Sequence, residues 1–158
     1  MGMNRSGGLY VGELAPIDGS AVLVEALSLF PGARIQALPS GEAHAAQRAR
    51  AMERSAYLVV APHDGDLQRT LAEAFAQGLA VIAPHEGACA ELVEPGRNGL
   101  HYEPGSPRDL ARRLAWAEAF PERMLQMGEC ARADYLARFI SHWSYPKLFG
   151  ERRRSARV

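Results

Sequence analysis

The chain has 158 residues, a formal net charge of zero and 47% apolar residues, which is typical of one globular domain with a full hydrophobic core. The charge balance gives no global field that would attract nucleic acid, and no apolar run approaches the ~20 residues that a membrane helix needs. The only two cysteines, Cys89 and Cys130, lack metal-binding spacing and favour a reduced, cytoplasmic setting.

Short apolar runs that end in Pro, Gly or polar residues predict five strands. The runs are residues 8–14, 34–39, 57–62, 80–84 and 99–104. YLVVA and AVIA, in the third and fourth runs, are apolar at every position rather than alternating. Such runs are typical of strands that helices cover on both faces, as in a parallel sheet.

Helical patterns follow the strands, at residues 20–30, 42–56, 67–78, 88–94, 106–120 and 122–139. Ser20 is suited to the N-cap of the first helix, Ser106 with Pro107 to the start of the fifth, and Gly78 to the end of the third. The alternation predicts right-handed crossovers and an α/β fold, with a mostly parallel sheet of about five to six strands and helices on both faces. The last two helices have no strand between them and are expected either to pack across the sheet or to reach toward a neighbouring molecule.

We expect a disordered N-terminus over residues 1–7, one domain over residues 8–140 and an aromatic and basic tail over residues 141–158. The tail contains Trp143, Tyr145 and Phe149, which either dock on the domain or form an exposed patch for a partner. Its last residues, ERRRSARV, are either a solvated end or a weak anchor to anionic lipid at the membrane periphery.

Three strand-to-helix turns are candidates for a ligand site, at residues 12–20, 62–68 and 84–91. Open parallel sheets bind ligands beyond the carboxyl ends of their strands, where backbone amides at the start of a helix can hold phosphate. Gly87 and Ala88 permit a close approach of backbone to ligand. His63 lies beside Asp64 and Asp66, but three such ligand types crowded into one loop rarely close a metal site, and we expect no metal there.

The order of motifs resembles one enzyme family. GLYVGEL, YLVVAP and the long stretch LAEAFAQGLAVIAPHEGACAELVEPGRNGL are similar to the C-terminal, donor-binding half of group 1 (family 4) glycosyltransferases. The resemblance covers about residues 8–140 and is most specific over residues 71–104. It implies a Rossmann-like domain that is half of a GT-B fold, and a retaining enzyme that uses a nucleotide-sugar as donor substrate and needs no other cofactor.

The resemblance also assigns roles to particular residues. Glu73 would accept hydrogen bonds from the donor ribose. Asp64 and Asp66 flank Gly65, where the family has its first glutamate, and are the catalytic candidates near the sugar. Glu91 matches a family glutamate to which we give a structural role. The positions expected around the donor phosphates are Gly12, Leu67, Gln68, Arg69, Gly87 and Ala88.

Two departures from the family pattern affect the charge of the predicted site. Glu13 stands where the family has Arg, and Asp18 stands where it has Lys. A carboxylate about 4 Å from a phosphate costs about 1 kcal/mol in water and about 4 kcal/mol at an effective dielectric near 20. Donor binding would therefore be weakened unless other cations, with Arg69 and Arg97 as candidates, take their place.

Three interpretations remain open from the sequence. The chain is a donor-binding half that an acceptor-binding partner chain or self-association completes, or it is one domain of a longer enzyme. Alternatively, it is a degenerate, non-catalytic scaffold or regulatory partner in polysaccharide or glycolipid assembly. In each case we expect neither nucleic acid as a partner nor a transmembrane segment.

Overall fold

The structure is a computed structural model that describes residues 5–12, 14, 20–61 and 67–138. A five-stranded sheet runs through these residues in the order β2-β1-β3-β4-β5, and every pair of neighbouring strands is parallel. The parallel α/β fold predicted from the apolar runs is therefore confirmed. The strands are β1 (Gly8–Val11), β2 (Ile35–Leu38), β3 (Tyr57–Val59), β4 (Ala80–Pro84) and β5 (Gly99–Tyr102).

Six helices accompany the strands within the described residues. They lie where the periodicity predicts them, at α1 (Ala21–Leu29), α2 (Ala45–Arg54), α3 (Leu67–Ala76), α4 (Gly87–Leu92), α5 (Pro107–Ala119) and α6 (Pro121–Arg138). Ser106 caps α5 as expected, since its hydroxyl accepts a hydrogen bond from the Asp109 amide at 3.1 Å. Ser20 occupies the N-cap position of α1 but makes no side-chain cap bond, so only its position was predicted correctly.

The sheet carries a hydrophobic core on each face, because successive strand side chains point to opposite sides. On one face Leu58 and Val81 pack with apolar residues of α2 and α3. On the other face Tyr57 and Ile82 pack with apolar residues of α1 and α5. Helix α6 supplies side chains to both cores, which agrees with the prediction that the last two helices pack across the sheet.

The turn between α3 and β4 fixes the end of α3 beside the sheet. Gly78 follows the helix with φ 74°, a conformation that glycine adopts without strain. Arg132 of α6 donates to the Ala76 carbonyl at 2.6 Å, and Arg5 donates to the Gln77 carbonyl at 2.8 Å. Carbonyls that have no partner inside α3 thus accept hydrogen bonds from cationic side chains. The positive charges also interact favourably with the negative end of the helix dipole.

The strand order defines the position of the ligand crevice. The chain passes from β1 to β2 on one side and later continues through β3 to β5 on the other. The connections diverge between β1 and β3, and in doubly wound sheets the carboxyl ends at this switch point form the ligand crevice. The carboxyl ends of β1 and β3, after which two of the three predicted turns begin, lie there.

Candidate functional site

Gly12 forms the wall of the crevice directly after β1. Its φ is 143°, and its amide donates to the Leu38 carbonyl at 2.7 Å, which ties the end of β1 to β2. A Cβ at this position would lie 3.0 Å from the ring of Tyr10. Both backbone conformation and space therefore favour glycine here. Glu13 and Asp18, and the catalytic candidates Asp64 and Asp66, lie outside the described residues.

The first turn of α3 forms the neighbouring wall, at the carboxyl side of β3. Leu67, Gln68 and Arg69 are the first residues of this helix, so their amides lie among those that have no partner inside it. The structure thus brings these three predicted residues to the expected edge of the sheet. The Arg69 side chain is already engaged, since it pairs with Glu42 and its Nε lies 3.5 Å from Oε2 of Glu73.

Glu73 lies on the second turn of α3, and its carboxylate is held by a buried arginine. Arg48 of α2 directs Nε to Oε1 and Nη2 to Oε2 of Glu73, each at 3.4 Å. The Arg48 side chain is only 4% exposed, whereas that of Glu73 is 31% exposed. Nη1 of Arg48 also donates to the carbonyls of Pro39 at 3.3 Å and Gly41 at 2.6 Å, in the turn after β2.

Glu42, Arg48, Arg69 and Glu73 form a chain of alternating charge, which we call the Glu73 cluster. The hydrogen bond and charge of Arg69 lower the pKa of Glu42. The forked contact of Arg48 fixes the orientation of the Glu73 carboxylate, as planar guanidinium–carboxylate pairs do. The cluster can thus present an oriented, partly exposed acceptor to a hydroxyl group.

Gly87 and Ala88 begin α4 after the turn that follows β4. Gly87 has φ 56°, and a Cβ there would meet no atom within 4 Å, so backbone conformation rather than space favours glycine. Gly87 is exposed and Ala88 is half-buried. Both predicted residues therefore lie at the carboxyl edge of the sheet, one strand further from the switch point than the start of α3.

A histidine pair at the same edge was missed by the sequence analysis. His85 directly follows β4, His101 lies in β5, and their Nδ1 atoms are 2.9 Å apart. Nε2 of His101 lies 3.2 Å from the Cys89 carbonyl oxygen. Burial, together with the nearby His85, lowers the pKa of His101, although its contact with the Cys89 carbonyl opposes the change. The sequence signal that could have identified the pair is a histidine directly after one predicted strand (His85) and a second histidine near the end of the next predicted strand (His101).

Arg97 does not reach the crevice. It lies just before β5, at the amino edge of the sheet, where its guanidinium contacts Asp134 at 2.6 Å and Glu94 at 3.1 Å. The expectation that Arg97 supplies a missing cation to the donor site is therefore wrong. Two hollows of about 260 and 400 Å³ lie beside Arg97. Because parallel sheets bind ligands at their carboxyl edge, we place the site at the crevice and not in these hollows.

The described residues contain neither a candidate metal-binding cluster nor a candidate membrane-spanning helix. No three side chains of His, Cys, Asp or Glu in this part of the chain are grouped so that they could hold a metal ion. None of the described helices is long and apolar enough to cross a bilayer.

The sheet order defines the class of protein as a doubly wound α/β domain, in which the switch point is the candidate ligand site. Residues 40–117, from the turn after β2 through most of α5, match the family described as glycosyl transferases group 1. The resemblance to the C-terminal domain of this GT-B family is thereby confirmed. A comparison with curated protein sequences gave no match.

Solved structures share the fold at low sequence identity. HepE from Anabaena, in complex with UDP and glucose, is 20% identical with a TM-score of 0.65 over 85% of this chain and 44% of its own. A glycosyltransferase from Rickettsia africae is 17% identical with a TM-score of 0.73, over 97% of this chain and 48% of its own. The chain thus spans somewhat less than half the length of these two proteins.

A third structure is itself a separate domain. The C-terminal domain of the group 1 glycosyltransferase LpcC from Francisella tularensis is 15% identical with a TM-score of 0.59, over 87% of this chain and 86% of its own. This likeness extends over most of both chains. The fold of the present chain is therefore similar to that of a C-terminal glycosyltransferase domain.

Proposed function

We propose that the chain is the donor-binding half of a retaining glycosyltransferase and binds a nucleotide-sugar at the carboxyl edge of its sheet. The observation that carries the proposal is the oriented carboxylate of Glu73, which Arg48 holds by a forked contact next to the switch-point crevice. A ribose presents two neighbouring hydroxyl groups, and an oriented, partly exposed carboxylate is the acceptor that suits them.

The remaining predicted residues surround this position. In the proposed complex, the diphosphate is contacted by the amides at the start of α3 (Leu67, Gln68 and Arg69), by the backbone at Gly12 and by the amides of Gly87 and Ala88. Asp64 or Asp66, in the turn between β3 and α3, approaches the sugar that is transferred.

Catalysis requires a second wall opposite this edge. GT-B enzymes react in the cleft between two halves, and the chain spans less than half of the first two relatives above. We propose that an acceptor-binding half completes the cleft, supplied by further polypeptide, by a partner chain or by self-association. The reaction would take place in the cytoplasm, with the basic residues 151–158 as a weak contact to anionic lipid at the membrane periphery.

Isothermal titration of the folded chain with UDP-, GDP- and ADP-sugars tests donor binding. HepE has been crystallised with UDP-glucose, so UDP-glucose is the first donor to try. We expect saturable binding to one nucleotide class, with little dependence on the sugar if Glu73 holds the ribose. A folded sample that gives no heat with any of these donors would contradict the proposal.

The charges favour one alternative, a non-catalytic scaffold or regulatory partner in polysaccharide or glycolipid assembly. Arg48 and Arg69 already compensate the carboxylate of Glu73, and Glu13 and Asp18 stand where the family has cations. The double substitution Glu13→Arg and Asp18→Lys separates the two functions. If it creates nucleotide binding that the natural chain lacks, the site has lapsed. If the natural chain binds and the substitution weakens binding, the two acids belong to a working site.

A further inference from the structure

The hydrogen bonds of the histidine pair determine where its protons lie. The Cys89 carbonyl can only accept, so Nε2 of His101 must carry the hydrogen of their 3.2 Å contact. Burial lowers the pKa of His101, which favours the neutral ring with a lone pair on its Nδ1. Nδ1 of His85 must therefore donate across the 2.9 Å contact to His101. Nε2 of His85 is then the position where a further proton can add without breaking either bond.

Among the described residues, the charged and titratable neighbours of the pair make contacts of their own. Arg113 of α5 donates from Nε to the His101 carbonyl at 2.9 Å, and its Nη2 lies 3.9 Å from Asp109. Asp109 also accepts from the amide of Glu103 at 2.8 Å. Glu86 adjoins His85 in the sequence and is exposed. The hydroxyl of Tyr102 is bonded to the Val60 carbonyl at 2.9 Å.

We propose that His85 is a cationic contact for the donor diphosphate, and that the His85–His101 pair takes up a proton as the nucleotide-sugar binds. The inference rests on the proposed donor-binding function. His85 is exposed at the carboxyl end of β4, two residues before Gly87. Histidine is the side chain that ordinarily changes its charge between pH 5 and 8.

The proton on His85 would supply a positive charge that the family's two cations provide and that this sequence lacks at their positions. Glu13 and Asp18 occupy the positions of the family's cations, Arg97 lies at the other edge of the sheet, and Arg69 is paired with two glutamates. The proton comes from solvent and adds to Nε2 of His85. His85 keeps its bond to His101 when it is protonated, so neither ring has to move and binding becomes linked to pH.

Calorimetric titration with UDP-glucose measures the linkage directly. UDP-glucose is the correct probe because its diphosphate is esterified at both ends, whereas the terminal phosphate of UDP itself titrates near pH 6. The titration is repeated at about pH 7.5 in two buffers of different ionisation enthalpy, with a chelator to keep transition metals from the two imidazoles. If the protonated pair binds tenfold more tightly, we expect uptake of about 0.4 proton per donor and an affinity about eightfold higher at pH 5.5 than at pH 8.5.

Variants assign the proton to the pair. His85→Gln should lose both the proton uptake and most of the pH dependence, while His44→Gln, which removes a histidine of the turn after β2, should retain both. A wild-type chain that binds UDP-glucose without proton uptake, or a His85→Gln variant that keeps it, overturns the inference and leaves the proposed function standing. If UDP-glucose does not bind, the GDP- or ADP-sugar that does bind replaces it as the probe, and absence of binding of all three donor classes to folded wild type at every pH removes the function on which the inference rests.

Discussion

Arg48 and Glu73 form a two-point contact between helices α2 and α3, although 25 residues separate them in the chain. The arginine is buried and also bonds the carbonyls of Pro39 and Gly41, so a single guanidinium joins two helices and the turn after β2. An arrangement of this kind contributes little net stability as a pair, but it leaves unpaired groups when one partner is removed. It also fixes the direction in which Glu73 presents its oxygens.

Arg48→Met is expected to destabilise the chain. The substitution keeps a similar apolar volume but leaves the carbonyls of Pro39 and Gly41 and part of the Glu73 carboxylate without their donor. Since Glu73 retains Arg69 and is partly exposed, we expect a loss of about 2–3 kcal/mol in the free energy of unfolding. Urea denaturation measures it. Arg50→Met, on an exposed position of the same helix, should change stability by less than about 0.5 kcal/mol.

Glu73→Gln tests the proposed contact with the donor ribose. The amide keeps the size of the side chain but lacks the charge and one acceptor oxygen, so hydrogen bonds to the ribose hydroxyls should weaken. We expect the affinity for the preferred nucleotide-sugar to fall about 10- to 100-fold, since bonds to a charged group contribute about 1.5–3 kcal/mol. Titration calorimetry measures the change, with Glu129→Gln on the exposed side of α6 as control. Equal affinities for Glu73→Gln and wild type would exclude a ribose contact at this residue.

The sequence predicts elements whose cause is local or periodic. Continuous apolar runs predict the buried strands β3 and β4, and Ser106 with Pro107 predicts the start of α5. Gly78 predicts the end of α3 because a left-handed residue is common there. Gly12 and Leu14 of the first predicted strand, and Val60 and Ala61 of the third, are not part of β1 and β3. Such boundaries depend on the neighbouring strand rather than on the apolar run itself.

Parts of the site depend on contacts that no local pattern reveals. Arg48 occurs in an Ala- and Arg-rich helix where every arginine looks solvent-exposed, and only the packing of α2 beside α3 buries it against Glu73. His85 and His101 meet because β4 and β5 pair in one register, with Pro84 opposite Tyr102. Arg97 shows that closeness in sequence does not ensure closeness in space. It follows the Gly87–Ala88 turn by only nine residues, yet it lies at the opposite, amino edge of the sheet.

Gly128 of α6 is expected to tolerate no side chain. A Cβ there would overlap the Gly78 carbonyl oxygen, which belongs to the fixed turn between α3 and β4 and cannot move aside as a flexible side chain could. Alanine improves helix propensity by up to about 1 kcal/mol, but overpacking costs about 1–3 kcal/mol. We therefore expect Gly128→Ala to lower the free energy of unfolding by about 1–2 kcal/mol. Glu129→Ala, one residue along the same helix, should be nearly neutral, and a Gly128→Ala variant as stable as wild type would refute the close contact.

The histidine pair should make stability depend on pH in a defined direction. Burial, with the nearby His85, lowers the pKa of His101, so the folded chain binds fewer protons there than the unfolded chain. The contribution of His101 to the free energy of unfolding is therefore fully present above the pKa of about 6.5 that a histidine has in the unfolded chain. This contribution is lost as the pH falls from there toward the lower pKa of His101 in the folded chain. Because the ring is only partly buried, solvent screening should limit the loss to less than about 1 kcal/mol.

Urea denaturation of wild type and His101→Gln at several pH values between about 5 and 7.5 isolates this contribution, since the other histidines are common to both chains. We expect the stability advantage of wild type over the variant to shrink as the pH falls through this range. An advantage that grows toward low pH would mean that His101 is protonated more readily in the folded chain than in the unfolded chain. The donor between the two rings would then be His101, and the position proposed for the additional proton on His85 would have to be abandoned.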